Sequence, residues 1–410
     1  MKLNNLNAVV EIGNVNIKCI IFNVNNNVSE IISTSITPSE GIHNGVIINV
    51  SRATNAIRRS ISNAEKKAEI LLKKIHVILE QPEFLCTRLS KHKKINGSKI
   101  YKDDIEFLLK EAKKQVTHND TKQSIIHIFN HNYIVDGKKF IEEPIDVYAD
   151  YLSHEMTFIT MPKNNIKNIS QIFSDCDIKI ERFISNIFSL AANSLSYNDL
   201  HSGSVLIDFG FERTSIGIFK NLALINSTTF PVGVNHITKD ISKVCSLSLE
   251  ESENIRNKIN FLFEKESSIF DDNDNLKNIF FIDSNFRKIS KSLILNIVKS
   301  RVNEIFEIVK KHLTFNRFNT SINSNFFIAG GGSNLFNLEK SLSKFFDINV
   351  KKVPISNKND FKENLDYQFA SCLGAIKIIV DGWETEAIPK KENNKNEKIG
   401  LLGKIFNNYS

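Results

Sequence analysis

The sequence predicts a two-lobed α/β protein built by duplication, with a small α+β insert in the first lobe and an amphipathic helix at the C-terminal end. Three observations carry this expectation. An acid-x-glycine hairpin occurs at Glu11-Ile12-Gly13 and returns at Asp208-Phe209-Gly210, each time between apolar strands, and self-similarity of that kind marks a duplicated fold. Residues 82–160 change to short strands around one helix. The chain ends in IGLLGKIFNNYS after a polar stretch.

Composition bounds the possibilities. A chain of 410 residues exceeds one ordinary core, and a hydrophobic fraction of 41% is that of a globular protein. No run reaches the ~18 to 20 consecutive apolar residues that a spanning helix needs. The N-terminal residues pass straight into a strand, so we expect no signal peptide and a cytoplasmic chain. The net charge of +7 is spread among many acids, which reads as a solvated surface with a mild preference for anionic surfaces and no nucleic-acid site. Cys19, Cys86, Cys176, Cys245 and Cys372 lie far apart with no CxxC pair, which excludes a cysteine-rich zinc site and implies reduced thiols.

The elements follow in order. Residues 8–24 read as two β runs around a turn at Gly13–Asn16, with more strand at Val28–Thr34. A helix is expected over Ser51–Lys74 from Ala53, Ile57, Ile61, Ala64, Ala68 and Leu72, then a strand at Ile75–Leu79. In the insert, Asp103 and Asp104 favour the start of a helix over Asp103–Val116. His127 and His131 are four apart, a metal-ligand spacing only on a helix. Their surroundings alternate as a strand does, so they are assigned a structural role. Residues 235–313 are mostly helical, the last helix carrying Leu293, Ile297, Val302, Ile305, Val309 and Leu313 as a core stripe. Phe326–Leu335 is a buried strand entering a glycine turn and a helix, and Tyr367–Val380 is a final apolar helix. The resulting divisions are 1–81 (first lobe), 82–160 (insert), 161–202 (first lobe, continued) and 203–234 (second-lobe core). They continue as 235–313 (helical subdomain), 314–383 (second-lobe core and return helix), 384–397 (linker) and 398–410 (tail helix).

Three loops can carry chemistry. The turn at Glu11, Gly13, Asn14 and Asn16 and the turn at Asp208, Gly210, Arg213 and Thr214 offer backbone N–H groups and short polar side chains to phosphates. An acid in each can organise Mg²⁺ and water. Each alone also reads as a plain tight turn. Gly330-Gly331-Gly332-Ser333 follows an apolar strand and lets backbone approach a ligand closely.

This order of loops resembles the actin, Hsp70 and sugar-kinase superfamily, and within it the chain is similar to the bacterial FtsA cell-division family. The similarity rests on Gly41-Ile42-His43-Asn44-Gly45-Val46-Ile47, His127–Asp136, Pro144 through Leu152, Pro231-Val232-Gly233 with Ile237–Ile241, and Ser252–Arg256. The resemblance implies an actin-like fold of duplicated RNase H-like subdomains. It implies ATP or ADP with Mg²⁺ at the three loops, with Glu253 and Arg256 as the ribose- and base-contacting pair, and no catalytic residue is assigned. It further implies that the 235–313 block receives the C-terminal tail of the tubulin-like FtsZ. The chain would self-polymerise, the 82–160 insert would meet other division proteins, and the protein would sit on the cytoplasmic face of the inner membrane at the division site. The departures fall in the phosphate loops: Val15-Asn16 replace a Ser-Lys pair, and Glu212 replaces a glycine. A carboxylate a few ångströms from a phosphate repels it by about 1 kcal/mol in water and by more in a dry site, which Arg213 can offset. A weak ATPase or a pseudo-ATPase scaffold both fit, and a kinase, a chaperone ATPase and a pilus-assembly adaptor are the alternatives.

In a helical tail, Ile399, Leu402, Phe406 and Tyr409 share one face, Leu401 and Ile405 widen it, and Lys398 and Lys404 flank it. An apolar stripe edged by lysine suits an anionic membrane surface. Deleting residues 399–410 is expected to move the protein from the pellet to the supernatant in sedimentation with anionic vesicles; unchanged pelleting would refute the anchor.

Overall fold

The computed structural model describes residues 6–263, 269–282, 288–315, 325–353 and 368–381. The linker and tail helix expected over 384–410 lie outside them. The chain divides into two compact units. One takes residues up to Ser204, Gly217–Thr229 and the last described helix; the other takes Val205–Ile216 and the described residues from Phe230 to Val353.

The first unit opens with an antiparallel meander of β1 (Leu6–Ile12), β2 (Asn16–Asn25) and β3 (Val28–Pro38). Two short paired strands, β4 (Ile42–His43) and β5 (Val46–Ile47), lead into α1 (Val50–Ala68). The Asn49 side chain caps α1 by accepting the Arg52 N–H at 3.0 Å. The helix ends before the expected Lys74. Glu69 turns left-handed at φ 57, and the Glu65 carboxylate takes the Leu72 N–H at 2.7 Å. Leu72 thus reaches the core from the returning chain. β6 (Lys74–Leu79) then lies parallel to β1.

The insert is one antiparallel sheet with a helix on one face. β7 (Leu85–Lys99), α2 (Lys102–Asn119), β8 (Gln123–Val135), β9 (Lys138–Phe140) and β10 (Tyr148–Pro162) give the order β7-β10-β8-β9. Its main strands are 15, 13 and 15 residues long, not short as the sequence pattern suggested. Polar residues break the apolar alternation, yet the ladders run on through bulges at Glu155/Met156 and Ile159/Thr160. Asp104 accepts the Tyr101 N–H at 2.7 Å, so the acids stand at the start of α2 as expected. Ile105, Leu108, Ala112 and Val116 of α2 pack on Leu152, Tyr133, Met156 and Phe158 of the sheet.

The first unit closes with α3 (Lys163–Ser174), β11 (Lys179–Ser185) parallel to β6, α4 (Asn186–Ser194) and α5 (Tyr197–Ser202). Its sheet runs β11-β6-β1-β2-β3. A second sheet uses β12 (Ser204–Phe209), β13 (Thr214–Lys220), β14 (Ala223–Phe230), β15 (Asn325–Ala329) and β16 (Val350–Lys352) in the order β14-β13-β12-β15-β16. Counting strands within each sheet, both read third-second-first-fourth-fifth. The repeated hairpin motif therefore marks a repeated sheet.

The second unit adds α6 (Val234–Cys245), α7 (Leu249–Lys258), α8 (Lys291–Phe315) and α9 (Leu338–Phe346). On α8, Val302, Ile305, Val309 and Leu313 are buried as expected, but Leu293 is exposed and Ile297 half-buried. Ile294 and Val298 are buried in their place. Which apolar flank of a helix faces inward depends on its partner, and α6 packs against α8. In the first unit α10 (Ala370–Asp381) packs so closely on α4 that a Cβ on Gly374 would stand 1.7 Å from the Ser189 carbonyl oxygen.

His127 lies on β8, buried, and accepts the Ser185 N–H at 2.8 Å, with Phe129 and Phe188 around its ring. The strand setting is the one the sequence pattern predicted. Burial pushes His131 down to about 4 and His154 down to about 3. A histidine held neutral in the fold binds its proton only when unfolded, so the unfolded state takes up more protons as pH falls below about 6.5. Stability should therefore drop between pH 6.5 and 4, by up to about 1.4 kcal/mol per histidine for each pH unit. Urea unfolding monitored by circular dichroism should show this decline, and His154→Phe should flatten it.

Candidate functional site

The two acid-x-glycine hairpins close with the same turn. In the first, the Gly13 N–H donates to the Asn16 carbonyl at 3.2 Å; in the second, Gly210 N–H donates to the Arg213 carbonyl at 2.8 Å. A Cβ on either glycine would press on that carbonyl oxygen, at 2.6 and 2.9 Å. Glycine is therefore required by the turn itself in both hairpins.

In the first unit Glu11 forms a two-pronged pair with Lys18 of β2, at 3.0 and 3.1 Å. Lys18 was not among the sequence-predicted site residues. It stands beside the hairpin because β1 and β2 pair Glu11 directly opposite it. Behind this pair the Cys372 thiol of α10 contacts the Glu11 carboxylate at 3.8 Å. Burial, then the Glu11 charge, holds that thiol well above its ordinary value. The Asn14 side chain accepts the Gly45 N–H at 2.8 Å, tying the hairpin to the β4–β5 turn.

In the second unit three glycine-bearing segments meet. A Cβ on Gly330, whose φ is +80, would fall 2.0 Å from Asp208 Oδ1 and 2.6 Å from the Phe209 carbonyl oxygen. On Gly332 it would meet Phe209 O at 2.9 Å and Val234 Cγ1 at 2.5 Å. On Gly233 it would meet the Arg213 nitrogen and the Gly210 and Phe211 oxygens, all at 2.6 Å. The structure thus brings together Asp208, Gly210, Gly330, Gly332 and, from the Pro231-Val232-Gly233 turn, a glycine that sequence reasoning did not count as a site residue. Gly331 is different: a Cβ there would meet nothing within 4 Å. The segment Gly331–Asn334 forms a 3-10 turn, and α9 starts only at Leu338, so the glycine loop does not itself open a helix.

Several predicted polar side chains are engaged inside the protein. Thr214 is buried and donates to the Val232 carbonyl at 2.8 Å. The Ser333 hydroxyl donates to the Gly330 carbonyl at 2.8 Å. Glu212 is buried and faces Lys239 of α6 at 3.7 Å, so a lysine one helix away stands beside the charge for which Arg213 was the expected compensation. Arg256 on α7 is buried. It donates to Thr238 Oγ1 of α6 at 2.7 Å and to Glu253 at 2.8 Å, and burial lowers its affinity for its proton. Glu253 is half-exposed beside it. α6 connects the two groups, since Val234 touches Gly332 at its start and Thr238 holds Arg256 one turn later.

The repeated five-strand sheet order, with a separate antiparallel sheet inserted in the first unit, is an actin-like architecture. Among solved structures, the chain resembles that of a PilM-PilN type IV pilus biogenesis complex with TM-score 0.61 and 11% identity, covering 90% of this chain and 97% of that one, a likeness of fold. Residues 205–374 match the family model for cell division protein FtsA, and residues 85–160 match the SHS2 domain inserted in FtsA. Cell division protein FtsA of Bacillus subtilis is 26% identical over 76% of this chain and 70% of its own length. That of Buchnera aphidicola subsp. Schizaphis graminum is 24% identical over 95% of this chain and 94% of its own. The chain belongs to the FtsA family of cell division proteins.

Gly330→Ala should destabilise the second unit by about 2 kcal/mol or more, because a left-handed φ and an occupied Cβ position are combined. Gly331→Ala should cost much less. Urea midpoints of the two variants test this contrast, and equal midpoints would contradict the cradle geometry.

Proposed function

We propose that this protein is a division-ring scaffold that holds an FtsZ-type filament at the cytoplasmic face of the inner membrane, and that adenine nucleotide regulates its assembly. The observation that carries the nucleotide part is the meeting of Gly210, Gly233, Gly330 and Gly332 backbone in the second unit. That packing fixes the loop so that Gly331 has open space beside it, where a phosphate would approach peptide backbone. ATP or ADP with Mg²⁺ is the ligand that fits. Asp208 is the acid beside the cradle, and Glu253 and Arg256 would lie toward the ribose and base. In the first unit, Gly13, Asn14 and Asn16 would form a phosphate loop of that unit's own, with Lys18 held at its side by Glu11. Bound nucleotide supplies the phosphates that these loops organise. Thr214 and Ser333 spend their hydroxyls on backbone carbonyls, so the site favours binding and conformational control over rapid hydrolysis.

The scaffold part rests on membership of the family and on the sequence of the tail. The amphipathic helix expected from the sequence over 398–410 would insert into the anionic membrane surface. The helical block of the second unit would receive the C-terminal tail of FtsZ, and the insert would meet other division proteins or a neighbouring copy. One short helix binds a membrane weakly, and polymerisation would add the contacts of many copies. Among the described residues no helix is long and apolar enough to cross a membrane.

Calorimetry with Mg-ATP on protein lacking residues 390–410 tests the nucleotide part. An affinity on the order of micromolar, about −8 kcal/mol, is expected, weakened at least tenfold in Gly332→Val. No heat from ATP or ADP would reduce the cradle to a structural relic and leave the membrane anchor to the vesicle experiment.

A further inference from the structure

The outer edge of the insert is a long strand edge. β7 is the terminal strand of its sheet, 15 residues long, with β10 on one side and no strand on the other among the described residues. An edge of that length offers a row of backbone N–H and C=O groups to a further strand. The sequence Leu85–Lys99 contains Arg88, Lys91, Lys93, Lys94 and Lys99 and no acid.

The two faces of this edge differ. Residues of a strand alternate between faces, and Leu89 and Ile95 belong to the face covered by α2. On that side Lys93 is bonded to Asp104 of α2 at 2.6 Å and lies over the Phe107 ring at 4.9 Å, and Lys91 acts on the Glu111 carboxylate. The cations there already have partners, while the Phe107 ring is 46% exposed beside them. On the opposite face Arg88, Ser90, His92 and Lys94 are all exposed, and Tyr151, the cross-strand partner of Lys94, is exposed as well. Arg88 and Lys94 form no ion pair among the described residues.

We infer that the Arg88–Lys94 edge of β7 binds an extended segment of a partner protein as an added strand, one whose residues alternate between acidic and apolar. The acids would face Arg88, His92 and Lys94, and the apolar residues would face Leu89 and Phe107. Main-chain hydrogen bonds would give affinity and the alternation would give register. A second copy of the same edge does not fit, because two acid-free strands would set like charges opposite one another. Edge lysines by themselves only discourage self-pairing; an apolar ring on one face and unpaired cations on the other define what is accepted. The inference narrows the partner-contacting role proposed for the insert, and it is independent of nucleotide, membrane and FtsZ.

The test is fluorescence anisotropy of full-length protein with a labelled nine-residue peptide of alternating Glu and Val. Saturable binding is expected, at least tenfold weaker in Arg88→Glu/Lys94→Glu and weakened by raised salt. The same peptide methylated on alternate backbone nitrogens should also bind at least tenfold more weakly, since it cannot pair with an edge. Absence of binding overturns the inference. So does equal binding of the methylated peptide, or of an alternating Lys and Val peptide, because either shows attraction without strand addition. Failure here leaves the vesicle and calorimetry outcomes untouched, and circular dichroism of the double variant confirms that its fold is retained.

Discussion

The close approach of peptide backbone to peptide backbone in the second unit is the constraint on which its other features depend. Gly330 fits against Asp208 and Phe209 only without a side chain, and Gly233 fits against Gly210, Phe211 and Arg213 for the same reason. These contacts hold the ends of β12 and β15 and the start of α6 together. Once α6 is fixed there, its next turn places Thr238 to bind Arg256 and Lys239 to face Glu212. Further along, Asp240 takes Arg301 of α8 at 2.6 and 3.0 Å. A cradle, a helix pair and a long core helix follow from glycine positions at one point of contact.

The first unit shows the same turn put to a different use. Its hairpin keeps the glycine and the i to i+3 hydrogen bond, but its acid is held by a lysine from the adjoining strand. The mini-hairpin at Gly45 is bound by Asn14, and Gln81 donates to the Gly45 carbonyl at 2.9 Å and accepts from Asn165 of α3 at 2.9 Å. A chain of side-chain amides thus runs from the first loop to the helix that follows the insert. Duplication preserved the turn geometry, while the side chains around each copy diverged.

Much of the fold was legible in the sequence because its signals are local. The acid-x-glycine turns announced themselves twice, apolar runs marked β1, β12 and β15, and Asp103 and Asp104 marked the start of α2. The glycines at 210, 330 and 332 were legible as residues that let backbone approach something closely. What they approach was not legible. Gly331 looks like its neighbours in the sequence but has open space where they have contacts. Lys18 and Lys239 carried no local mark of their partners, and the lengths of the insert strands were hidden by polar residues whose pairing continues through bulges.

The sequence by itself determined the repeat, the order of elements, the positions of the tight turns and the strand setting of His127 and His131. Each of these is set by steric and periodic preferences within a few residues. Tertiary structure decided which flank of α8 is buried, how Glu212 and Glu11 are compensated, and how Leu72 reaches the core after its helix has ended. It also decided that β7 is an edge. Those outcomes depend on which distant segments pack together, and a strand's own residues do not say whether one neighbour or two will lie beside it.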